Sequence, residues 1–247
     1  MTLSMQQSSS TAQDALKTAV GQAALAFVPP GSTIGVGTGS TVNRFIAALA
    51  GLQGDQRIAA AVSSSAASTA LLQAAGIAVL DANAVERMLA VYIDGADEID
   101  GSGCMVKGGG AALTREKIVA AQSHTFVCIA DASKQVLRLG NFPIPVEIIP
   151  MAAQRITRQF AAMGGVATLR LTAGRTPLLT DNGQQILDVA GLQLADPLGF
   201  ETTVSQWPGV VTVGVFAVQK ADICLLATPQ GVQTLRFTNL PVAAKGG

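Results

Sequence analysis

Histidine, tryptophan and tyrosine each occur once in these 247 residues, and cysteine three times. Each scarcity closes off a class of chemistry. A lone His124 with no close pair of cysteines gives a zinc site little to work with, so no metal is expected. Cys104, Cys128 and Cys224 are odd in number and far apart, which argues against a disulfide framework and fits a reducing, cytoplasmic compartment. Charge is also scarce. Sixteen Lys plus Arg against sixteen Asp plus Glu leave no basic excess to neutralise a nucleic-acid backbone. Hydrophobic residues make up 49% of the chain, yet no uncharged apolar run approaches the roughly 18 residues of a membrane span. The opening MTLSMQQSSSTAQD lacks the basic and apolar regions of a signal peptide and reads as a frayed tail.

What is present alternates. Helical apolar spacing from Ser8 to Phe27 stops at Pro29-Pro30-Gly31. A strand-like run, Thr33 to Val36, precedes a Gly-rich turn and a helical pattern from Thr41 to Ala50. Arg57 to Val62, a helix reaching Ala75, Gly76 to Leu80, Leu89 to Ile93 and Thr125 to Ala130 continue the rhythm. Short apolar segments between helical ones indicate parallel strands covered on both faces. After Asn141 the rhythm changes. Phe142 to Pro150 is a strand fenced by prolines, which belong at strand ends or sheet edges. A helix from Met151 to Met163, strands over Val166 to Leu171 and Pro177 to Val189 around the turn Thr180–Gly183, and a helix from Leu198 to Trp207 make an α+β stretch. Val210 to Ala217 and Asp222 to Ala227 read as strands of the first kind, so the chain is expected to return to its first unit.

The polar residues cluster by position. Gly37–Thr41, Ser63–Ser65, Asp94–Asp97 and Asp131–Lys134 each follow the C-terminal end of an expected strand. Parallel strands would bring all four to one sheet edge, where open α/β sheets bind ligands. GVGTGST (Gly35 to Thr41) combines glycines, a helix N-terminus and two hydroxyls, a set suited to phosphate. It matches neither GxGxxG nor the Walker A pattern, and a tight βα turn with a Ser or Thr cap is its plainer reading. VYIDGADEID (Val91 to Asp100) places four carboxylates behind an apolar run; Asp94 and Asp97 serve either a site or turn capping, while Glu98 and Asp100 read as solvated or structural. In KGGGAALTREKI (Lys107 to Ile118), three glycines form a backbone able to wrap a small ligand, and Lys107 adds a cation. Glu116 is either a carboxylate base or a favourable charge in a helix's first turns. Arg115 and Lys117 read as solvated neighbours, Lys134 alone as a surface lysine, and His124 as structural. Cys128 and Cys224 belong to the core, and Cys104 is a loop thiol without an evident partner.

Together, GVGTGST, AVSSS, YIDGADEID, KGGGAALTREKI, IADASK, VEIIPMA and PGVVTVGVFA resemble ribose-5-phosphate isomerases of the A type, from about Asp14 to Gln230. The resemblance implies a Rossmann-like α/β domain with a mostly parallel sheet (1–141 and 210–247) plus a smaller α+β domain (142–209). It also implies a homodimer or larger homo-oligomer. The implied activity interconverts D-ribose 5-phosphate and D-ribulose 5-phosphate in the non-oxidative pentose phosphate pathway, without metal or cofactor. Carried over by motif, Glu116 is the general base. Asp94, Gly95, Ala96 and Asp97, with Lys107, Gly108, Gly109 and Gly110, surround the sugar's reacting end. Thr38, Gly39, Ser40 and Thr41 form the phosphate-side loop, Lys134 is a further substrate contact, and Lys17 matches a lysine near the phosphate. Departures at Ala66 and Leu71-Leu72 lie outside these residues. Such a reaction moves a proton between C2 and C1 through an enediolate, which suits one carboxylate, a preorganised cation and a ring-opening acid/base at Asp94. A non-catalytic sugar-phosphate sensor and a CoA-transferase-like enzyme forming a glutamyl thioester are the competing classes.

Overall fold

Apolar runs bounded by Gly and Pro become strands buried on both faces, because helices pack against either side of them. The computed structural model describes residues 2–238, with side chains from residue 12 onward. The chain begins with α1 (Thr2–Ala23), β1 (Thr33–Val36), α2 (Ser40–Ala50), β2 (Ala60–Ser63), α3 (Ala66–Ala74) and β3 (Tyr92–Asp94). There follow β4 (Glu98–Ile99), β5 (Met105–Val106), α4 (Leu113–Ala121), β6 (Phe126–Asp131), β7 (Ile144–Ile148), α5 (Ala153–Ala162) and β8 (Val166–Leu169). Last are β9 (Gln185–Ala190), α6 (Pro197–Ser205), β10 (Val210–Val213), β11 (Val215–Phe216), β12 (Ile223–Thr228) and β13 (Gly231–Arg236).

The principal sheet has the order β13-β12-β6-β3-β1-β2. All its neighbouring pairs are parallel except the edge hairpin β12–β13. The chain runs outward from β1 to β2, then crosses back to β3 on the other side of β1. That reversal opens a crevice between the β1 and β3 loops, the place where such sheets take ligands. Alternating residues feed two cores. Ile34, Val36, Ile93, Val127 and Ile129 pack with Val20 and Phe45 on one face. Tyr92, Phe126, Cys128 and Leu226 pack with Leu113 and Val119 of α4 on the other. A third core lies under the antiparallel sheet β10-β7-β9-β8, where Phe160 of α5 stacks on Trp207 at 4.9 Å. A small antiparallel sheet, β11-β5-β4, joins the two regions. Mixed α/β architecture with a mostly parallel central sheet is therefore as expected.

Several details differ from the sequence reading. The N-terminal tail is helical from Thr2, since neither Gly nor Pro interrupts it before Gly21, and its last turn tightens into 3₁₀ form at Ala24–Phe27. Gly76–Leu80 forms no ladder; its one link is the bridge from Val79 to Ala61. Residues 177–184 are mainly loop, with only Pro177 bridged to Leu171, and the strand there begins at Gln185. Pro145 sits in β7, an interior strand, because the β10 ladder ends at Val146 and the proline's missing N–H falls beyond it, where Gly214 N–H instead donates to the Pro145 carbonyl at 2.7 Å. Residues 210–213 pair with β7 and 215–216 with β5, so the return to the parallel sheet comes only at β12. The edge strand β13 carries no sequence signal as clear as its neighbours', being half exposed, and residues 239–247 of the expected returning stretch lie outside the described residues.

Candidate active site

The loops after β1, β3 and β6 and the Gly-rich turn before α4 meet around a cleft of about 150 Å³. One set of its lining residues suits an anion. Thr38, Gly39, Ser40 and Thr41 lead into α2, whose N-terminal N–H groups carry partial positive charge, and Lys17 and Lys134 face the same space. Gln13 lines it too, one helical turn before Lys17 on α1. Sequence reasoning missed Gln13, and the i, i+4 spacing to Lys17 was the signal available. The serine cluster stands behind this wall. Ser64 pairs with the Thr38 hydroxyl at 2.8 Å, Ser68 donates to the Gly37 carbonyl at 2.7 Å, and Ser65 caps α3.

The rest of the lining is Gly95, Ala96, Asp97, Lys107, Gly108, Gly109, Gly110 and Glu116. Glu116 projects from the first turn of α4, and Lys107 from the loop leaving β5. Asp94 is not at the cleft surface. It lies fully buried beneath it and accepts from the Thr38 N–H (3.0 Å), the Gly95 N–H (2.7 Å) and the Tyr92 hydroxyl, while the Lys107 ammonium sits 2.6 Å from its Oδ2. Gly37 is required here, since a Cβ on it would lie 2.0 Å from the Asp94 carboxyl carbon. Asp97, by contrast, faces the cleft and accepts the Gly109 N–H at 2.8 Å.

Lys107 spends its three donors on Asp94, on the Gly95 carbonyl at 2.6 Å, and on an ion-pair approach to Glu116 Oε2 at 3.2 Å. That last approach is close but not aligned as a hydrogen bond, so Glu116 Oε2 is buried without a directed donor. Burial alone would push the ammonium's pKa down; the carboxylates of Asp94 and Glu116 outweigh it and raise it, so Lys107 stays charged. For Glu116 burial dominates, opposed by Lys107, and its pKa is raised to about 8. The asymmetry has a simple cause. Asp94 already neutralises Lys107, so Glu116 faces a dry pocket with little net positive charge left to hold its anion. Burial, followed by the Asp94 charge, keeps Tyr92 protonated as a donor.

Around this centre the expected solvated charges are structural. Lys117 is largely buried, paired with Glu201 of α6 and donating to the Val215 carbonyl at 2.7 Å; burial lowers its pKa against the pull of Glu201. Arg115 donates to Asn182 Oδ1 (2.8 Å) and the Asp181 carbonyl (2.7 Å). Glu147 of β7, fully buried, accepts from Thr114, Thr180 and Asn182. Thus α4 is tied at three residues, 114, 115 and 117, on either side of Glu116. Glu98 is buried, accepting the Gly140 and Phe142 N–H groups, and Asp100 caps its own turn. Cys128 and Cys224 face each other in register within the core, and Cys104 is buried beside the Ser102 hydroxyl at 3.3 Å. Among the described residues no three His, Cys, Asp or Glu side chains converge as metal ligands would, and no helix is long and apolar enough to cross a membrane.

Comparisons with known proteins agree on one family. The model of ribose 5-phosphate isomerase A (phosphoriboisomerase A) matches residues 60–231. A ribose-5-phosphate isomerase A of Polaromonas sp. is 69% identical over 228 residues, covering 91% of this chain and 94% of that one. The crystal structure of ribose 5-phosphate isomerase A from Neisseria gonorrhoeae superposes with a TM-score of 0.86 at 44% identity, covering 92% of this chain and 98% of that one. A D-ribose-5-phosphate isomerase solved in complex with phospho-erythronic acid superposes at 0.84 with 34% identity, covering 90% and 97%. The chain belongs to the ribose 5-phosphate isomerase A family.

Proposed function

We propose that this chain interconverts D-ribose 5-phosphate and D-ribulose 5-phosphate through an enediolate, with Glu116 as the base that moves the proton between C2 and C1. The observation that carries this reading is the cleft's polarity. One set of lining groups, the α2 N-terminus with Lys17 and Lys134, shares the cleft with a second, a buried carboxylate with its pKa near 8 beside a fixed ammonium. Phosphate in the first anchors the substrate, and that remote binding energy orients the reacting carbons at the second. A base poised near neutrality both takes and returns a proton readily. As Glu116 accepts the proton its charge vanishes, and the Lys107 ammonium 3.2 Å from it can turn to the developing oxyanion. One such preorganised donor is typically worth roughly 2.7–4 kcal/mol.

Ring opening, assigned to Asp94 on sequence grounds, fits Asp97 better on geometry. Asp94 is sealed under the cleft by four donors and serves to hold Lys107 and the Thr38 loop. Asp97 is the remaining carboxylate that reaches the cleft. The test is conversion of ribose 5-phosphate followed by proton NMR in D₂O. The reading expects ribulose 5-phosphate, with solvent deuterium at C1 in those turnovers where the Glu116 carboxyl exchanges before returning the proton; failure to form the ketose would overturn it.

A further inference from the structure

Arg170 lies outside the cleft and outside every motif that the sequence singles out, yet its guanidinium reaches the glycine turn. Nη1 donates to both the Gly108 carbonyl (2.9 Å) and the Gly109 carbonyl (3.1 Å). The rest of the fork is committed to Asp188 of β9, Nε to Oδ2 at 2.8 Å and Nη2 to Oδ1. The backbone on both sides is fixed as well: Arg170 N–H donates to Ile186, and Leu178 N–H donates to the Arg170 carbonyl. A bidentate pair locks the plane of a guanidinium, so the direction of the third nitrogen is set.

The turn needs this help. Gly108 sits at φ +108, wedged so that a Cβ would meet Pro145 and Leu113 at 3.1 and 3.2 Å. The N–H of Lys107 goes to the Gly214 carbonyl, that of Gly109 to Asp97 and that of Ala111 back to the Gly108 carbonyl. In this turn the Gly108 and Gly110 N–H groups have no acceptor among the described residues, and both glycines line the cleft. A trans peptide points its N–H opposite its C=O. With the Gly109 carbonyl drawn outward to Arg170, the Gly110 N–H is turned the other way, into the cleft.

We propose that Arg170, held by Asp188, is a positioning residue that aims the Gly110 N–H as a second oxyanion donor beside Lys107. The antiparallel sheet thereby contributes to the catalytic turn without touching substrate. The inference rests on the isomerase reading above and deepens it. The test measures kcat and KM for ribose 5-phosphate in Arg170→Lys and Arg170→Met, with calorimetric affinities for phospho-erythronic acid and inorganic phosphate. A donor misplaced by about 1 Å is expected to lower kcat by about 100-fold. Phospho-erythronic acid, which adds a carboxylate to the phosphate, should weaken by a similar factor, while inorganic phosphate binding stays within twofold and reports an intact anion pocket. Arg170→Lys should resemble Arg170→Met, because a single ammonium cannot hold both carbonyls and Asp188. Should either variant fail to fold, Asp188→Asn frees the guanidinium at nearly constant volume and is expected to show the same split with a smaller loss. Wild-type kcat and analogue affinity in Arg170→Lys would overturn the proposal, as would parallel loss of both ligands in a folded variant. Absence of isomerase activity in the wild type would instead strike the underlying reading, since the analogue and phosphate affinities are measured without turnover.

Discussion

Replacing Glu116 by Gln tests the electrostatics of the site through stability, independent of any assay of turnover. The carboxyl's pKa stands at about 8 in the folded chain against 4.5 for the free group, with burial as the leading cause and Lys107 opposing it. Between those values the folded state binds more protons than the unfolded one, so stability falls as pH rises. The contribution is fully present below about pH 4.5 and is gone above about pH 8. At roughly 1.4 kcal/mol for each pH unit between the two values, the loss is about 5 kcal/mol at most. Gln does not titrate. Urea unfolding at pH 5, 7 and 9 should therefore show the variant gaining on the wild type, being close to it at pH 5 and more stable by several kcal/mol at pH 9. Lys107 stays charged throughout this range and adds no slope of its own. A stability difference independent of pH would mean that Glu116 is ionised in the folded protein at all three values, and the dry-pocket argument would fall.

Three more consequences follow from the same geometry. kcat/KM should rise with pH and level off above about 8, because the free enzyme's base must be ionised; an inflection at 6 or below would contradict the raised pKa of Glu116. Lys107→Met should cost about 3–5 kcal/mol in chemical denaturation by leaving Asp94 buried without its counter-ion, and should lower kcat by about 10²–10³. Gly37→Ala should destabilise by about 1–3 kcal/mol and depress kcat, since its Cβ would collide with the carboxyl that holds Lys107; a variant with wild-type Tm and kcat would refute that placement.

The parallel sheet and its active edge were legible because local chemistry dictates them. Glycine turns between short apolar runs and helical patterns specify βα units; parallel strands bring GTGST and DGAD to one edge, while KGGG reaches it from β5 of the small antiparallel sheet. The choice between Asp94 and Asp97 was not legible. Three positions apart on an expected turn, both carboxylates suit a site or a cap, and only the fold shows one sealed by Lys107 and the other facing the cleft. Lys117 and Arg115 look like ordinary surface charges on a helix, since their partners Glu201 and Asn182 are remote in sequence. Arg170 escaped for the same reason, being 62 residues from the carbonyl it holds. The three short strands of the connecting sheet, two residues each, are below what any periodicity can reveal.

The most direct check on the central claim is turnover of ribose 5-phosphate by Glu116→Gln under conditions where inorganic phosphate binding matches the wild type. Loss of a positioned acid–base group predicts a kcat lower by about 10²–10⁴ with the phosphate affinity intact. A kcat within about fivefold of wild type would contradict the account, because a carboxamide cannot accept the C2 proton and some other group would then be moving it.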